Sequence, residues 1–96
     1  MAHFNLEQVR EAAEQHRIQY KGRKVQKDIT NLGYTLNEVA DYISSLTEHD
    51  FKETKQYDDK TVHDVYIKTL TDRIYIKLRL LDNQHIQIVE IGSFHL

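Results

Sequence analysis

Residues 73–81 read Arg73-Ile74-Tyr75-Ile76-Lys77-Leu78-Arg79-Leu80-Leu81, and their alternation decides the fold. Successive side chains of a strand point to opposite faces. Ile74, Ile76, Leu78 and Leu80 therefore share one side, and Tyr75, Lys77 and Arg79 share the other. A strand that is apolar on one side only belongs to a sheet covered on one face, as antiparallel sheets allow.

Working outward, Val62 to Leu70 is rich in β-branched and aromatic residues and predicts a preceding strand. Thr71-Asp72 can join the two as a hairpin, although the favoured Asn-Gly or Asp-Gly pair is absent. Asp82-Asn83-Gln84 predicts a turn into a third strand, His85 to Phe94. Its apolar phase shifts between Ile88 and Val89, which suggests a bulge there. If Val65 and Ile67 face the core, His63 shares their side and points away from Tyr75.

The cover for the apolar face comes from the first half. Asn5 can cap a helix, with Gln8 in capping-box spacing, and Leu6, Val9, Ala12 and Ala13 then form one stripe. Val25, Ile29 and Leu32 form a second stripe, and Gly33 stands where a C-terminal cap belongs. Thr35-Leu36-Asn37-Glu38 is a strict capping box ahead of the stripe Leu36, Val39, Ala40, Ile43 and Leu46, and Thr47 to Asp50 can add one further turn. The sequence predicts an α+β fold, with N-terminal helices packed on a C-terminal antiparallel sheet. Residues 1–96 form a single domain with no internal repeat or linker.

Composition narrows the function. The chain has no Cys, so it carries no disulfide framework and no thiolate metal site. Its six His show no HExxH-type spacing, so no metal is expected. No GxGxxG, P-loop or GxSxG motif occurs. Asp58, Asp59 and Asp64 match no EF-hand and read as a loop and a strand start. Met1 to Asn5 lacks a signal-peptide layout and no apolar run approaches membrane-spanning length, so the expected location is the cytoplasm. The net charge of −2 speaks mildly against nucleic acid, but the charges are segregated. Arg17, Lys21, Arg23, Lys24 and Lys27 fall in one stretch without an acid. Lys68, Arg73, Lys77 and Arg79 form a second basic set against Asp72.

Tyr75, Lys77 and Arg79 taken alone describe an ordinary solvated strand face. They also suit an RNA-facing sheet, in which cations hold phosphate and Tyr stacks or moves a proton. His63 and His95 lie near strand ends, and imidazole titrates in the range needed for acid–base work on a ribose hydroxyl. A different reading takes residues 25–45 as a helix-turn-helix of a non-catalytic nucleic-acid-binding regulator. Glu38, Asp41 and the lack of Lys or Arg in its second helix weigh against that. A third takes a free sheet edge as a docking site for a partner strand.

One resemblance sharpens the choice. Leu46-Thr47-Glu48-His49-Asp50-Phe51, then Asp64-Val65-Tyr66, then Ile74-Tyr75-Ile76-Lys77, and finally Ser93-Phe94-His95 occur in the order and rough spacing of the MqsR family. Leu6-Glu7-Gln8-Val9 and the helix Leu36 to Leu46 are also similar, so the resemblance covers nearly the whole chain. The family consists of RelE-like mRNA interferase toxins of type II toxin–antitoxin systems. Membership implies metal-independent, cofactor-free cleavage of mRNA at short, GCU-like sequences. It implies a MqsA-like antitoxin as partner, one that carries zinc itself and alone contacts operator DNA. It implies a catalytic set of Tyr75, His63, His95 and Lys52, with Lys55 an alternative to Lys52. His63 stands where the family has glutamine, and His95 where it has a late basic residue. Lys77, Arg79, Arg23 and Lys24 are the expected RNA-binding residues.

Overall fold

A computed structural model describes all 96 residues. Three helices, α1 (Leu6–Glu14), α2 (Gly22–Leu32) and α3 (Leu36–Ser44), cover one face of a five-stranded sheet. The strands are β1 (Ile18–Tyr20), β2 (Phe51–Gln56), β3 (Val62–Thr69), β4 (Arg73–Asn83) and β5 (Ile86–His95), in the spatial order β1-β5-β4-β3-β2. A short 3₁₀ turn, Glu48–Asp50, leads into β2.

The helix ends follow from local chemistry. The Asn5 side chain accepts the Gln8 N–H at 3.0 Å, satisfying one orphan donor of α1. Thr35 and Glu38 close a reciprocal capping box at α3. Gly33, at φ 77°, ends α2 in the left-handed region, and the Tyr34 N–H reaches back to the Ile29 carbonyl at 3.2 Å. The stripes Val9/Ala12/Ala13, Val25/Ile29 and Val39/Tyr42/Ile43/Leu46 meet Tyr66, Ile74, Ile76, Leu78, Val89, Ile91 and Phe94 in one continuous core.

Several expectations need correction. The sheet is mixed rather than antiparallel: β1 pairs with β5 in parallel, Ile18 opposite Val89 and Tyr20 opposite Ile91. Neither β1 nor β2 was expected. The last hairpin is tighter than expected, with Asn83 opposite Ile86 and only Gln84 and His85 in the turn. The bulge in β5 lies not at Ile88 but at Gly92, since Lys77 pairs with Ser93 while Leu78 pairs with Ile91.

The most consequential correction concerns β3. Tyr66 pairs with Ile76 and Asp64 with Leu78, and residues opposite one another share a face. Tyr66 and Asp64 therefore face the helices, and His63, Val65 and Ile67 lie on the open face with Tyr75 and Lys77. His63 thus shares a face with Tyr75, because Val65 and Ile67 lie opposite Lys77 and Tyr75 and not in the core. Asp64 uses its place under the helices to hold the N-terminal segment. Its carboxylate accepts the His3 N–H at 3.0 Å, the Phe4 N–H at 2.8 Å and the Thr54 hydroxyl at 2.7 Å.

The helix-turn-helix outline does not survive packing. α2 makes its main contacts with β5, and α3 makes its with α1, so the two do not pack as a pair. The exposed face of α3 presents Asn37, Glu38 and Asp41, which would repel phosphate.

Candidate active site

The open face of the sheet carries two adjoining groups of polar side chains. Tyr75 anchors the first. It lies opposite His95 across β4 and β5, and the two rings stack at 5.0 Å between centroids, 15° from parallel. His95 Nδ1 lies 2.9 Å from the Leu96 main-chain oxygen. That oxygen can only accept, so Nδ1 carries the proton. In the neutral ring Nε2 then holds a free lone pair.

Two lysines complete this group. Lys52 Nζ and Lys55 Nζ each stand 5.9 Å from the centre of the Tyr75 ring. Lys55 reaches it by following the face from its place opposite His63. Lys52 reaches it because β2 is irregular there: Phe51 pairs with Tyr66 and Glu53 with Val65, leaving Lys52 as the extra residue. The Tyr75 hydroxyl beside the Lys55 ammonium holds that group above the ordinary lysine range. Lys55 is a fixed cation near neutral pH, unable to act as a base.

The second group sits beside the first. His63 is buried, and neither ring nitrogen has a hydrogen-bond partner. Tyr57 meets it edge-to-face at 5.4 Å, and Lys77 Nζ donates to the Tyr57 hydroxyl at 2.9 Å. Lys21, just after β1, lines the same open pocket as His63 and Lys77, together with Asp58, Asp59 and Thr61. Burial, followed by the charges of Lys21, Lys77 and Arg79, pushes the His63 imidazole below its ordinary value. His63 is therefore neutral at physiological pH.

The structure thus brings Tyr75, His95, Lys52 and Lys55 together. It places His63 and Lys77 one pocket away and sets the other candidates apart. Arg79 Nε donates to Glu90 at 2.7 Å, and Gln19 donates to the same carboxylate. Burial raises Glu90, but the Arg79 and Gln19 contacts outweigh it and hold the carboxyl below the usual glutamate range. Arg79 is consequently neutralised. Arg23 and Lys24 lie on α2 in the helical layer, where Lys24 pairs with Asp28 at 3.0 Å. The chain's ion pairs are Lys24–Asp28, Lys68–Asp50 and Arg79–Glu90, so within the two groups Lys21, Lys52, Lys55 and Lys77 all lack a carboxylate partner. Nowhere do three or more His, Asp or Glu side chains gather as metal ligands would.

The sequence singles out neither Tyr57 nor Gly92, and it presents Lys21 only as one charge of the basic stretch 17–27. Tyr57 lies in the β2–β3 turn, and without β2 in view nothing in the sequence aimed it at His63. Gly92 is the bulge residue of β5. A Cβ there would stand 3.1 Å from Lys77 Cε and 3.5 Å from His63 Nε2.

A family model described as the motility quorum-sensing regulator, toxin of MqsA, matches residues 1–95. The chain belongs to the MqsR toxin family. It is therefore the toxin of a toxin–antitoxin system, and its partner is an antitoxin of the MqsA pair. No curated protein matches the chain. The strand tyrosine of this MqsR-family toxin, Tyr75, lies at the centre of the first group, and no helix is long and apolar enough to cross a membrane.

Proposed function

We propose that this toxin is an endoribonuclease that cuts mRNA in the cytoplasm at the Tyr75–His95–Lys52–Lys55 group. The stacking of His95 on Tyr75 beneath two unpaired lysines carries the reading. Cleavage of an RNA strand needs a base for the 2′-hydroxyl, positive charge at the phosphate and an acid for the leaving oxygen. His95 Nε2 takes the 2′-hydroxyl proton. The 2′-oxygen then bonds to phosphorus, and the bond from phosphorus to the 5′-oxygen breaks. Lys52 and Lys55 stabilise the crowded phosphate. The Tyr75 hydroxyl gives its proton to the departing 5′-oxygen, and the adjacent Lys55 ammonium stabilises the phenolate left behind. The products are a 2′,3′-cyclic phosphate and a 5′-hydroxyl. Cuts at short, GCU-like sequences, arrest of translation and independence of added metal follow as expectations from the family, with a zinc-bearing MqsA-like antitoxin as the inhibitor.

The test is incubation of the purified toxin with a defined mRNA in EDTA, followed by mapping of the ends. Cuts at a short motif bearing cyclic phosphate are expected. Tyr75→Phe should slow them by about 10²-fold or more, as loss of a positioned proton donor does. RNA left intact, both free and on translating ribosomes, would overturn the reading. An unimpaired Tyr75→Phe would overturn the site.

A further inference from the structure

The pocket beside the cutting group is built for a ligand that the chemistry of cleavage does not require. His63 is 1% exposed, yet both of its ring nitrogens lack a partner. A neutral imidazole offers one donor and one acceptor, and burying both unpaired is costly unless something else pairs with them. The pocket that His63 lines is an open depression of about 430 Å³ on the sheet face that carries Tyr75. Around it stand two cations, Lys21 and Lys77, two acids, Asp58 and Asp59, the Thr61 hydroxyl and the half-exposed Tyr57 ring.

This mixture discriminates among ligands. A phosphate presents acceptors only and would meet the carboxylates of Asp58 and Asp59, which also line the pocket. An aliphatic side chain would leave every polar group unpaired. The edge of a nucleobase carries donors and acceptors side by side, and its flat face suits an aromatic wall. Gly92 packs behind these side chains, and a Cβ there would crowd Lys77 Cε at 3.1 Å and the His63 ring at 3.5 Å.

We propose that Lys21, Tyr57, His63 and Lys77 hold one unpaired nucleobase of the RNA, next to the phosphate cut at Tyr75. Lys55 ties the pocket to the cutting group, since its main chain lies opposite His63 and its ammonium reaches the Tyr75 ring. The base seated here sets which sequence is cut. This deepens the endoribonuclease reading and rests on it for the identity of the ligand.

The experiment is a titration of the intact toxin with adenosine, guanosine, cytidine and uridine, followed by NMR of the His63 ring. Inorganic phosphate and ribose 5-phosphate serve as the comparison. At least one nucleoside should shift the His63 signals in a saturable way, and the phosphates should not. Equal shifts from phosphate would make this an anion site and overturn the proposal, as would no shift from any nucleoside. In parallel, His63→Leu and Gly92→Ala should broaden the set of flanking bases at which RNA is cut, by about tenfold in relative rate. A mutant that cuts with its preference unchanged would overturn the pocket and leave the endoribonuclease reading standing. A toxin that binds a nucleoside at His63 yet cuts no RNA would do the reverse.

Discussion

His63 shows how one residue's surroundings become a property of the whole chain. In the unfolded chain its imidazole titrates near 6.5; in the folded protein burial and then Lys21, Lys77 and Arg79 lower it. Between those two values the unfolded chain holds a proton that the folded chain does not. The contribution of His63 to stability is therefore complete above pH 6.5 and is lost as the pH falls from 6.5 towards the folded value. Urea midpoints measured across that window should fall more steeply for the natural sequence than for His63→Gln; equal slopes would refute this. Asp64 is the opposite case, a buried acid that is fully partnered. Asp64→Ala removes the acceptor and strands the His3 and Phe4 amides, costing about 2–3 kcal/mol. Denaturant titration should read that loss, and a variant of natural stability would show that the N-terminal segment is not held there. The residue types at these positions were legible in the sequence, but their surroundings were not. Asp64 read as a strand start because its partners lie about sixty residues away in the chain.

At the scale of elements, periodicity was sufficient wherever an element was long enough to show it. β3, β4, β5 and all three helices carry their apolar residues at strand or helix spacing, and the capping signals at Asn5, Gly33 and Thr35 operate as read. β1 has three residues and exists only because Ile18 and Tyr20 find Val89 and Ile91 in parallel register. A three-residue run has no period to detect. β2, Phe51-Lys52-Glu53-Thr54-Lys55-Gln56, is an edge strand with a single large apolar residue, so it reads as a loop until β3 is beside it. The parity error in β3 came from Tyr66: Val65 and Ile67 are the more apolar choice for a core, yet the large Tyr66 ring fills it against Phe51. The β4–β5 turn shows a local cost. Gln84 and His85 both adopt positive φ, 53° and 70°, as a two-residue turn of this hand requires. Side chains resist that conformation by about 1–2 kcal/mol per residue. Replacing the pair with Asn-Gly should raise stability by about 1 kcal/mol, visible as a higher thermal midpoint with cleavage unchanged. A lower midpoint would mean that the Gln84 or His85 side chain makes a contact that the turn needs.

For the molecule as a whole, net charge is a poor guide to partner, because what matters is which charges are free and on which face. The chain is acidic overall, with a net charge of −2. Its acids are nevertheless concentrated away from Tyr75, as in the group Glu7, Glu11, Glu14 and Glu48 on the helical side. On the open face Arg79 is cancelled by Glu90, while Lys21, Lys52, Lys55, Arg73 and Lys77 have no ion-pair partner. The sequence carries two basic sets, residues 17–27 and residues 68–79, which could meet in space. The fold divides them instead, because α2 turns Arg23 and Lys24 onto the helical layer and only Lys21, at its start, reaches the sheet's open side. RNA confined to the open face would then neutralise about three phosphates, at Lys52, Lys55 and Arg73, because Lys21 and Lys77 face the base. On a single strand each contributes about −0.7 to the slope of log affinity against log salt, so a slope of roughly −2 is expected. Fluorescence anisotropy of Tyr75→Phe with a labelled RNA, over a salt series, measures it without cleavage. Lys52→Met and Lys55→Met should each flatten the slope by about 0.7, and Arg23→Met and Lys24→Met should leave it unchanged. A steeper slope that falls on loss of Arg23 or Lys24 would show RNA wrapping the edge of the sheet onto α2, and the footprint would then include both basic stretches.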